Sequence, residues 1–483
     1  MFLGIDIGTS GVKAILLDDT GGLAAQATAP LTVSRLHDLW SEQDPADWCD
    51  AVDAAVLGLP EELRRQTRGI GLAGQMHGAT LLGQDDKPLR PAILWNDGRA
   101  FAECAALEEA LPEARAISGN IAMPGFTAPK LMWVRHHEPE IFEQVTTVLL
   151  PKDYLRLWMS GDKASDLSDS AGTLWLDVAR RQWSDLLLLA TGLDQSHMPR
   201  LYEGSEITGT LRPEIASRWG MAPVPIAAGA GDNAAGAVGV GVVNDGDALL
   251  SLGTSGVIFV ATKEFRPNPA GAVHAFCHCL PGLWHQMSVH LSAASCLDWA
   301  AQAMSMDVPG LLAVAEHAGV GNGPELFLPY LSGERTPHND PHVRGAFLNL
   351  SHDTHPGRLA AAVLEGVAFA HADGLRVLKA AGTEVERLSV IGGGSRSGHW
   401  GQILAAALGV TLDYLDGGDV GPALGAARLA RMAVTGASAA EACPRPAIRT
   451  SIAPDPALAD RLAPKLEKFR VAYPALKLMR EDA

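Results

Sequence analysis

Near its start the chain reads Ile5-Asp6-Ile7-Gly8-Thr9-Ser10-Gly11-Val12, and past its middle it reads Leu250-Ser251-Leu252-Gly253-Thr254-Ser255-Gly256-Val257. Each copy is an alternating apolar stretch followed by a Gly-Thr-Ser-Gly turn and a second apolar stretch, which predicts a β-hairpin. Glycines permit positive φ, so consecutive backbone N–H groups and two hydroxyls can point at one anion. A turn of this kind often only joins two strands. Its repetition half a chain apart indicates instead a duplicated domain that holds a phosphate chain from both sides.

The two copies differ at one position with chemical consequences. The first copy has the carboxylate of Asp6 where the second has the hydroxyl of Ser251. A polyphosphate is accompanied by Mg²⁺, which prefers oxygen ligands. We therefore expect two facing lobes, with Asp6 on the metal side.

The composition limits the class of protein. With 483 residues, 47% of them hydrophobic, and 51 glycines, the chain is too long for one core and fits a two-domain α/β protein. A formal charge of -17 disfavours nucleic acid and anionic membranes as partners, so we expect a small ligand held by local donors. The start has no basic region or cleavage site, and the most apolar run, residues 234–243, is too short to span a bilayer. We expect a cytoplasmic protein, and a homodimer is one possibility that the sequence leaves open.

Six cysteines in this length do not form a disulfide framework. His274, Cys277, His278 and Cys279 have side chains that can bind zinc, with Cys296 further along the chain. Alternation places Cys277 and Cys279 on one face of a predicted strand, where thiols usually behave as small buried apolar groups. We favour the buried interpretation.

Strands and helices alternate along the chain. The first half opens with predicted strands at 2–7, 12–18 and 23–30, and strands at 69–73 and 224–228 and helices at 47–57 and 152–159 follow. The second half repeats the hairpin near 248 and continues with helices at 293–303, 358–380 and 400–408 and a strand at 387–391. This order predicts two α/β domains with covered sheets, at 1–244 and 245–483. The stretch 457–480 is predicted helical but is interrupted by Pro464 and Pro474, and its position stays open.

Asp232 follows the strand at 224–228 in a Gly-rich junction with a helix. Ligands of open α/β sheets bind at this end of the strands. An Asp in this position also caps helices, and the two roles are compatible. Beside a phosphate clamp, the carboxylate could accept the proton of an attacking hydroxyl.

Two further loops at strand ends carry polar and aromatic side chains. Gly-Gln-Met-His-Gly occupies 74–78 and Trp-Asn-Asp-Gly-Arg occupies 95–99. Together they offer the mixture that pairs the hydroxyls of a sugar and stacks on its carbons. Each loop alone is explained equally well as satisfied turn residues with a half-buried Trp.

Glycine-rich turns also occur in the second half. Gly-Gly-Gly-Ser-Arg at 392–396 lies between a strand and a helix, where bare backbone admits a base or ribose. It is neither a Walker A loop nor a dinucleotide fingerprint. Residues 418–425 predict another helix start, with Pro422 in its first turn and small residues that permit close packing.

The order of these motifs resembles that of the FGGY carbohydrate kinases, which share the actin, Hsp70 and hexokinase fold class. The likeness runs from end to end, except beyond about residue 440. Within the family, the motifs at 74–78, 95–99, 123–130, 164–173 and 331–337 are similar to those of members that act on the ketopentose D-xylulose. The resemblance implies two ribonuclease H-like domains flanking a deep cleft, with the sugar mainly on the first and ATP mainly on the second.

The resemblance also implies roles for individual residues. Asp232 would be the catalytic base, and Asp6 would serve Mg²⁺. The sugar contacts would be Met76, His77, Asp232 and Asn233, with Trp95 and Arg99 as further members of the pocket. The nucleotide contacts would be Thr9, Ser10, Lys13, Gly253, Thr254, Gly393, Gly394 and Arg396.

The implied reaction is transfer of the γ-phosphoryl group of ATP to the 5-hydroxyl of D-xylulose, in the breakdown of D-xylose. Kinases of the same build acting on ribulose, gluconate, fuculose, rhamnulose or glycerol are the nearest alternatives, since few side chains decide which polyol fits. An ATP-driven assembly protein of the actin or Hsp70 type is the alternative from another class. That alternative leaves the loops at 74–78 and 95–99 without a task.

Overall fold

The structure is a computed structural model that describes residues 1–416 and 421–481. Within these residues, two mixed sheets of seven strands each form the centre of the molecule. The strands of the first sheet all precede residue 232, and those of the second all follow residue 247. No helix in the described part of the chain is long and apolar enough to cross a membrane.

The first sheet is built around a three-stranded antiparallel meander. Across the sheet its main path runs Ile207–Thr210, Pro225–Ala227, Gly69–Gly74, Phe2–Ile7, Gly11–Leu17 and Leu23–Pro30. The short strand Ala230–Gly231 also pairs with Gly69–Gly74. Phe2–Ile7 is antiparallel to Gly11–Leu17 and parallel to Gly69–Gly74, so a hairpin lies beside a parallel strand.

The second sheet repeats that arrangement. Its order is His274–Cys277, Trp284–His290, Gly256–Thr262, Ala248–Leu252, Arg387–Ile391, Thr411–Leu415 and Ile448–Ile452. The hairpin of Ala248–Leu252 and Gly256–Thr262 again has a parallel neighbour, Arg387–Ile391. The registers differ by one residue, because Asp6 pairs with Lys13 whereas Ser251 pairs with Val257. The second turn is therefore one residue tighter than the first.

Helices and short strand pairs cover the two sheets. The first-half helices are Pro45–Leu57, Glu61–Arg64, Phe101–Ala110, Ala114–Ser118, Thr127–His137, Pro139–Phe142, Pro151–Ser160, Leu167–Ala171, Asp185–Ala190, Pro213–Trp219 and Asp232–Gly239. The second-half helices are Ser295–Ala303, Val308–Ala318, Pro356–Ala380, Gly398–Leu408, Pro422–Thr435, Ala439–Ala442 and Pro456–Glu481, and short 3₁₀ turns lie at Gln195–His197, Pro269–Gly271 and Gly393–Arg396. The short pairs join Glu42–Gln43 to Ala92–Ile93, Thr80–Leu82 to Thr147–Leu149, Ala164–Asp166 to Arg200–Tyr202, Leu176–Asp177 to Gln182–Trp183, and Leu326–Leu328 to Ala346–Leu348.

One helix of the second half packs on the first sheet. Pro422–Thr435 contacts Phe2–Ile7 and Gly69–Gly74 and also the helix Asp232–Gly239. The approach is at backbone distance, since a Cβ added at Gly71 would lie 1.9 Å from the oxygen of Ala426, and one at Gly425 would lie 1.8 Å from the oxygen of Ala235. The sequence predicted a helix start within residues 418–425, and the helix begins at Pro422. Residues 418–420 of that stretch lie outside the described part of the chain. The predicted domain boundary between residues 244 and 245 stays a prediction. The helix Pro422–Thr435 follows that boundary in the chain but packs on the sheet that precedes it.

The C-terminal helix Pro456–Glu481 passes through both Pro464 and Pro474, so the predicted interruption is wrong. Leu462 and Phe469 are fully buried in the core of the second half, and Arg470 donates to Asp373 at 2.7 Å. Tertiary packing here outweighs the hydrogen bonds that each proline removes from the helix.

Candidate functional site

Asp232 lies between the two halves of the molecule. The strand Pro225–Ala227 leads into a left-handed turn at Gly229, where a side chain would collide with the backbone of Leu72, and Asp232 is then the first residue of its helix. The residue at the capping position is Gly231 rather than Asp232. Among the described residues, the Asp232 carboxylate accepts hydrogen bonds from the backbone and side-chain nitrogens of Asn233, at 2.7 and 2.9 Å to the same oxygen. The other carboxylate oxygen is therefore left for a ligand.

The carboxyl groups of Asp6 and Asp232 are both buried, and the charge of Asp232 acts on Asp6. Burial raises the pKa of Asp232 to about 6. Burial and the charge of Asp232 raise the pKa of Asp6 to about 7, against the opposing charge of Lys13. One oxygen of Asp6, Oδ1, is buried without a hydrogen-bond partner. Two desolvated carboxyls near each other, one with an unsatisfied oxygen, form a site that favours a cation.

A cavity of about 200 Å³ joins Asp232 to the second hairpin. Asp232, Asn233 and Gly236 line it from the first half, and Ser251 and Val257 line it from the hairpin. The predicted catalytic carboxylate thus opens onto the second copy of the repeated motif.

The turn of the same hairpin borders a larger cavity of about 590 Å³. This cavity brings together five residues predicted to contact the nucleotide: Gly253, Thr254, Gly393, Gly394 and Arg396. Gly393 has nothing within 4 Å of the position that a Cβ would take, so its backbone is open to a ligand. Val308, Pro309 and Leu312 add an apolar wall that no sequence motif had indicated. The arrangement suits a flat apolar base beside a Gly-rich turn.

Met76 lies against the Asp232 junction, and His77 follows it in the chain. A Cβ added at Gly231 would come within 2.9 Å of the Met76 sulfur. His77 has a left-handed backbone, with φ of 69°, and its Nδ1 lies 2.6 Å from the carbonyl oxygen of Gly172. Burial, with the charge of Lys130, lowers the pKa of His77 to about 3, so the ring is neutral. Since a carbonyl only accepts, Nδ1 carries the proton and Nε2 is left as an acceptor.

Several residues that hold His77 were missed at the sequence level. Lys130 and Thr127 both donate to the His77 carbonyl oxygen, at 2.9 and 3.1 Å. The imidazole packs edge-on against Phe126, with ring centroids 4.8 Å apart, and lies 6.3 Å from Phe276 of the second half. Phe126, Thr127 and Lys130 belong to the motif at 123–130, and Gly172 belongs to the motif at 164–173. Only the family resemblance of these two motifs could have indicated a role for them.

A buried ionic cluster also supports the Asp232 junction and was likewise missed. Arg156 donates to the carbonyl oxygens of Ala227 and Ala228, and Ser168 accepts from the backbone N–H of Gly231 at 3.2 Å. Lys152 lies 2.6 to 3.2 Å from three carboxylates, and all four side chains are fully buried; the carboxylates are those of Asp153, Asp166 and Asp169. These charges fix the strand end that carries Asp232.

Trp95 and Arg99 have different surroundings, although one loop carries both. The indole of Trp95 donates to the hydroxyl of Thr9 at 2.8 Å, beside the first phosphate turn. The Arg99 side chain is only 2% exposed, lies 2.7 Å from both Asp97 and Glu42, and stacks over Trp40. No contact among the described residues joins Arg99 to Met76, His77 or Asp232, so its guanidinium has a structural role here and its contact with sugar stays a prediction.

Ser10 is exposed in the first turn, and Lys13 lies opposite Asp6 in the hairpin. Their contacts with phosphate stay predictions, as does that of Thr9. Cys277 and Cys279, two of the cysteines considered for zinc, are fully buried, and burial raises the pKa of Cys277 to about 12. Their sulfurs lie 3.6 and 3.8 Å from the carbonyl oxygens of Val178 and Ala234, as neutral thiols do. In the described part of the chain, no group of three or more possible ligands is placed to hold a metal.

Known proteins match the chain along almost its whole length. Residues 1–239 match the N-terminal domain of the FGGY family of carbohydrate kinases, and residues 248–434 match its C-terminal domain. Xylulose kinase from Escherichia coli (strain K12) is 56% identical over 479 residues, which cover 99% of each chain. Xylulose kinase from Klebsiella pneumoniae is 58% identical over 437 residues, or 90% of each chain.

A crystal structure of a xyloylose kinase from Brucella ovis matches 99% of both chains, with a TM-score of 0.95 and 50% identity. The predicted fold class, two α/β domains of the actin and hexokinase type, is thereby confirmed. The predicted family is confirmed as well, and membership in a family of carbohydrate kinases implies the use of ATP. The chain belongs to the FGGY family of carbohydrate kinases.

Proposed function

We propose that this protein phosphorylates D-xylulose on its 5-hydroxyl, using ATP, to give D-xylulose 5-phosphate and ADP, as a step in the use of D-xylose. The observation that carries the proposal is the position of Asp232, which shares one cavity with the second hairpin, whose turn borders the Gly393-Gly394 cavity. The 56% identity to a xylulose kinase over nearly the full length supports the choice of sugar. A kinase needs an alcohol site and a nucleotide site joined at the transferring phosphoryl group, and this arrangement meets that need.

Asp232 acts as the base in this proposal. The 5-hydroxyl oxygen attacks the γ-phosphorus of ATP, its proton passes to the Asp232 carboxylate, and the bond between the γ-phosphorus and the bridging oxygen breaks to release ADP. A pKa of about 6 leaves Asp232 ionised at pH 7 and more basic than an ordinary Asp. Asp232 is therefore ionised, and able to accept a proton, near neutral pH.

Asp6 is the residue that would hold Mg²⁺. Its buried, unpartnered Oδ1 and its raised pKa fit a cation, which would supply the missing partner and restore the ionised form. When bound, the ion neutralises charge on the phosphate oxygens. The same neutralisation is expected from the backbone N–H groups of the two turns.

The sugar lies against Met76 and His77 in this proposal. The neutral His77 ring has one acceptor nitrogen, Nε2, suited to a sugar hydroxyl, while Nδ1 is held by Gly172. Met76 gives an apolar surface beside the Asp232 junction. A site with fixed acceptors and one apolar wall discriminates among polyols by their hydroxyl pattern.

The test is ADP release measured with a panel of sugars: D-xylulose, ribulose, gluconate, fuculose, rhamnulose and glycerol. We expect D-xylulose to give the highest kcat/KM, and mass spectrometry of the product to place phosphate on carbon 5. A higher kcat/KM with another sugar would contradict the proposed substrate. ADP release that responds only to a polypeptide would contradict a sugar kinase in this chain.

A further inference from the structure

A chain of hydrogen bonds ties the first phosphate turn to both sugar-side loops. The indole Nε1 of Trp95 donates to Thr9 Oγ1 at 2.8 Å, and Thr9 Oγ1 donates to Gln75 Oε1 at 3.0 Å. Gln75 Nε2 donates to Gln43 Oε1 at 2.9 Å. Gln43 Nε2 then returns to the turn and donates to the carbonyl oxygen of Thr9 at 2.8 Å. Thr9 is thus held by its hydroxyl and by its backbone within one closed circuit.

The direction of every proton in this circuit is determined. An indole N–H can only donate, so the Thr9 oxygen accepts from Trp95 and its own proton goes to Gln75. A second indole, that of Trp48, donates to Gln43 Oε1 at 2.9 Å and so fixes the orientation of that amide. The Gln43 amide nitrogen therefore faces two carbonyl oxygens, those of Thr9 and Thr32. The Thr9 hydroxyl has no proton left for a phosphate oxygen.

Most of the circuit is buried, but its member Trp95 is partly exposed beside the first phosphate turn. Gln43 and Gln75 are each 2% exposed and Trp48 is fully buried, whereas Trp95 is 39% exposed. Gln75 immediately precedes Met76 and His77 in the chain. Gln43 belongs to the strand that pairs with Ala92–Ile93, two residues before Trp95. The turn is therefore held by the same two loops that carry the predicted sugar contacts.

We propose that Trp95, Gln75 and Gln43 are positioning residues that set the Gly8–Gly11 turn for phosphoryl transfer and link its geometry to the sugar-side loops. The proposal rests on the proposed kinase function. The turn then meets phosphate through its backbone N–H groups and Ser10, while the Thr9 hydroxyl holds the turn in place. Loss of the circuit should lower the rate of transfer, because small displacements of aligned groups are costly in rate.

A double-mutant cycle tests this circuit. Trp95→Phe keeps an aromatic ring but removes the donor, and Thr9→Val keeps the shape but removes the hydroxyl. We expect each variant to lower kcat roughly 10-fold, and the double variant to be no slower than the slower single variant, since both break the same chain. Thr9→Ser, which keeps the hydroxyl, should recover most of the kcat that Thr9→Val loses. Trp299→Phe is the matched control, because Trp299 is also 39% exposed but stacks on Phe327 in the second half; its kcat should not change.

Hydrolysis of ATP without sugar is the second measurement. The proposal expects Trp95→Phe to lower this rate as well, since the turn is displaced whether or not sugar is bound. Losses that multiply in the double variant would overturn the proposal. So would a Trp95→Phe variant that raises only the KM for sugar and leaves hydrolysis unchanged, which is the result expected of a plain sugar contact. A wild-type enzyme without activity on any sugar would contradict the proposed function, and the hydrolysis measurement would still decide the role of the circuit.

Discussion

Asp232 combines two properties that a base in phosphoryl transfer needs: a position in the cavity that it shares with the second hairpin, and a pKa raised by burial to about 6. A protonated carboxyl cannot accept the sugar proton, so kcat should fall as the pH drops through about 6. Asp232→Asn removes the acceptor at every pH, and we expect kcat to fall by about 10²–10⁴-fold. Steady-state rates between pH 5 and 9 check both expectations.

Asp50→Asn is the control, because Asp50 is exposed on the helix Pro45–Leu57 and its substitution should leave the pH profile of kcat unchanged.

The stability of the protein gives an independent measurement of the Asp232 pKa. The pKa of Asp232 is higher in the folded protein than in the unfolded chain, so the carboxyl stabilises the fold at a pH below its unfolded pKa. That stabilisation is lost as the pH rises through about 6. The Tm of the ligand-free Asp232→Asn variant should therefore exceed that of the wild type by the largest margin above pH 6. Near-normal turnover would remove Asp232 from the mechanism.

Local motifs identified residues that lie around one cavity, whereas contacts between distant parts of the chain could not be predicted from them. Gly253 and Gly393 line one cavity because a Gly-rich turn after a strand encodes its own geometry. The approach of Phe276 to His77 depends instead on how the two halves pack. For Arg99 the residue type gave no sign of its ion pairs with Asp97 and Glu42, and its predicted contact with sugar stays a prediction.

The helices and strands themselves were largely predictable. The strands Phe2–Ile7 and Arg387–Ile391 have the predicted bounds, and the predicted helix at 358–380 begins two residues earlier, at Pro356. Their apolar periodicity is strong because each has one buried face. The place of Pro422–Thr435 on the first sheet could not be predicted, since periodicity shows that a helix has an apolar face and does not show which sheet covers it.

The contact between this helix and the first sheet should not tolerate a methyl group. In an exposed helix Gly→Ala is favourable by about 1 kcal/mol. At Gly425 the added Cβ would lie 1.8 Å from the backbone oxygen of Ala235, so the helix must move. We expect Gly425→Ala to lower the free energy of unfolding by about 1–3 kcal/mol, measured by urea denaturation.

Gly236 provides the matched control for that substitution. It also lies within a helix, Asp232–Gly239, but nothing is within 4 Å of its Cβ position. Gly236→Ala should therefore leave the free energy of unfolding unchanged or raise it. An equal effect of the two substitutions would mean that the close approach of Gly425 does not limit the packing.

The two halves are joined on more than one side. Besides the helix Pro422–Thr435, a shared apolar core contains Phe126 of the first half and Phe276 of the second. Polar contacts add to it: the side chain of Asn120 donates to the carbonyl oxygen of Ala275 at 3.0 Å, and Arg181 donates to that of Leu283 at 2.6 Å. Duplication in the sequence indicated two similar units, but the extent of this contact follows only from the structure.

Because the second half supplies a helix to the first sheet, the two sheets should lose their structure together. Hydrogen exchange measured across a urea series should give the strands Phe2–Ile7 and Ala248–Leu252 the same midpoint. A non-hydrolysable ATP analogue, which we expect to bind mainly to the second half, should raise both midpoints alike through linkage. Gly425→Ala should lower both. A first sheet that exchanges at lower urea than the second, and that does not respond to the analogue, would show that the halves unfold independently despite the shared helix.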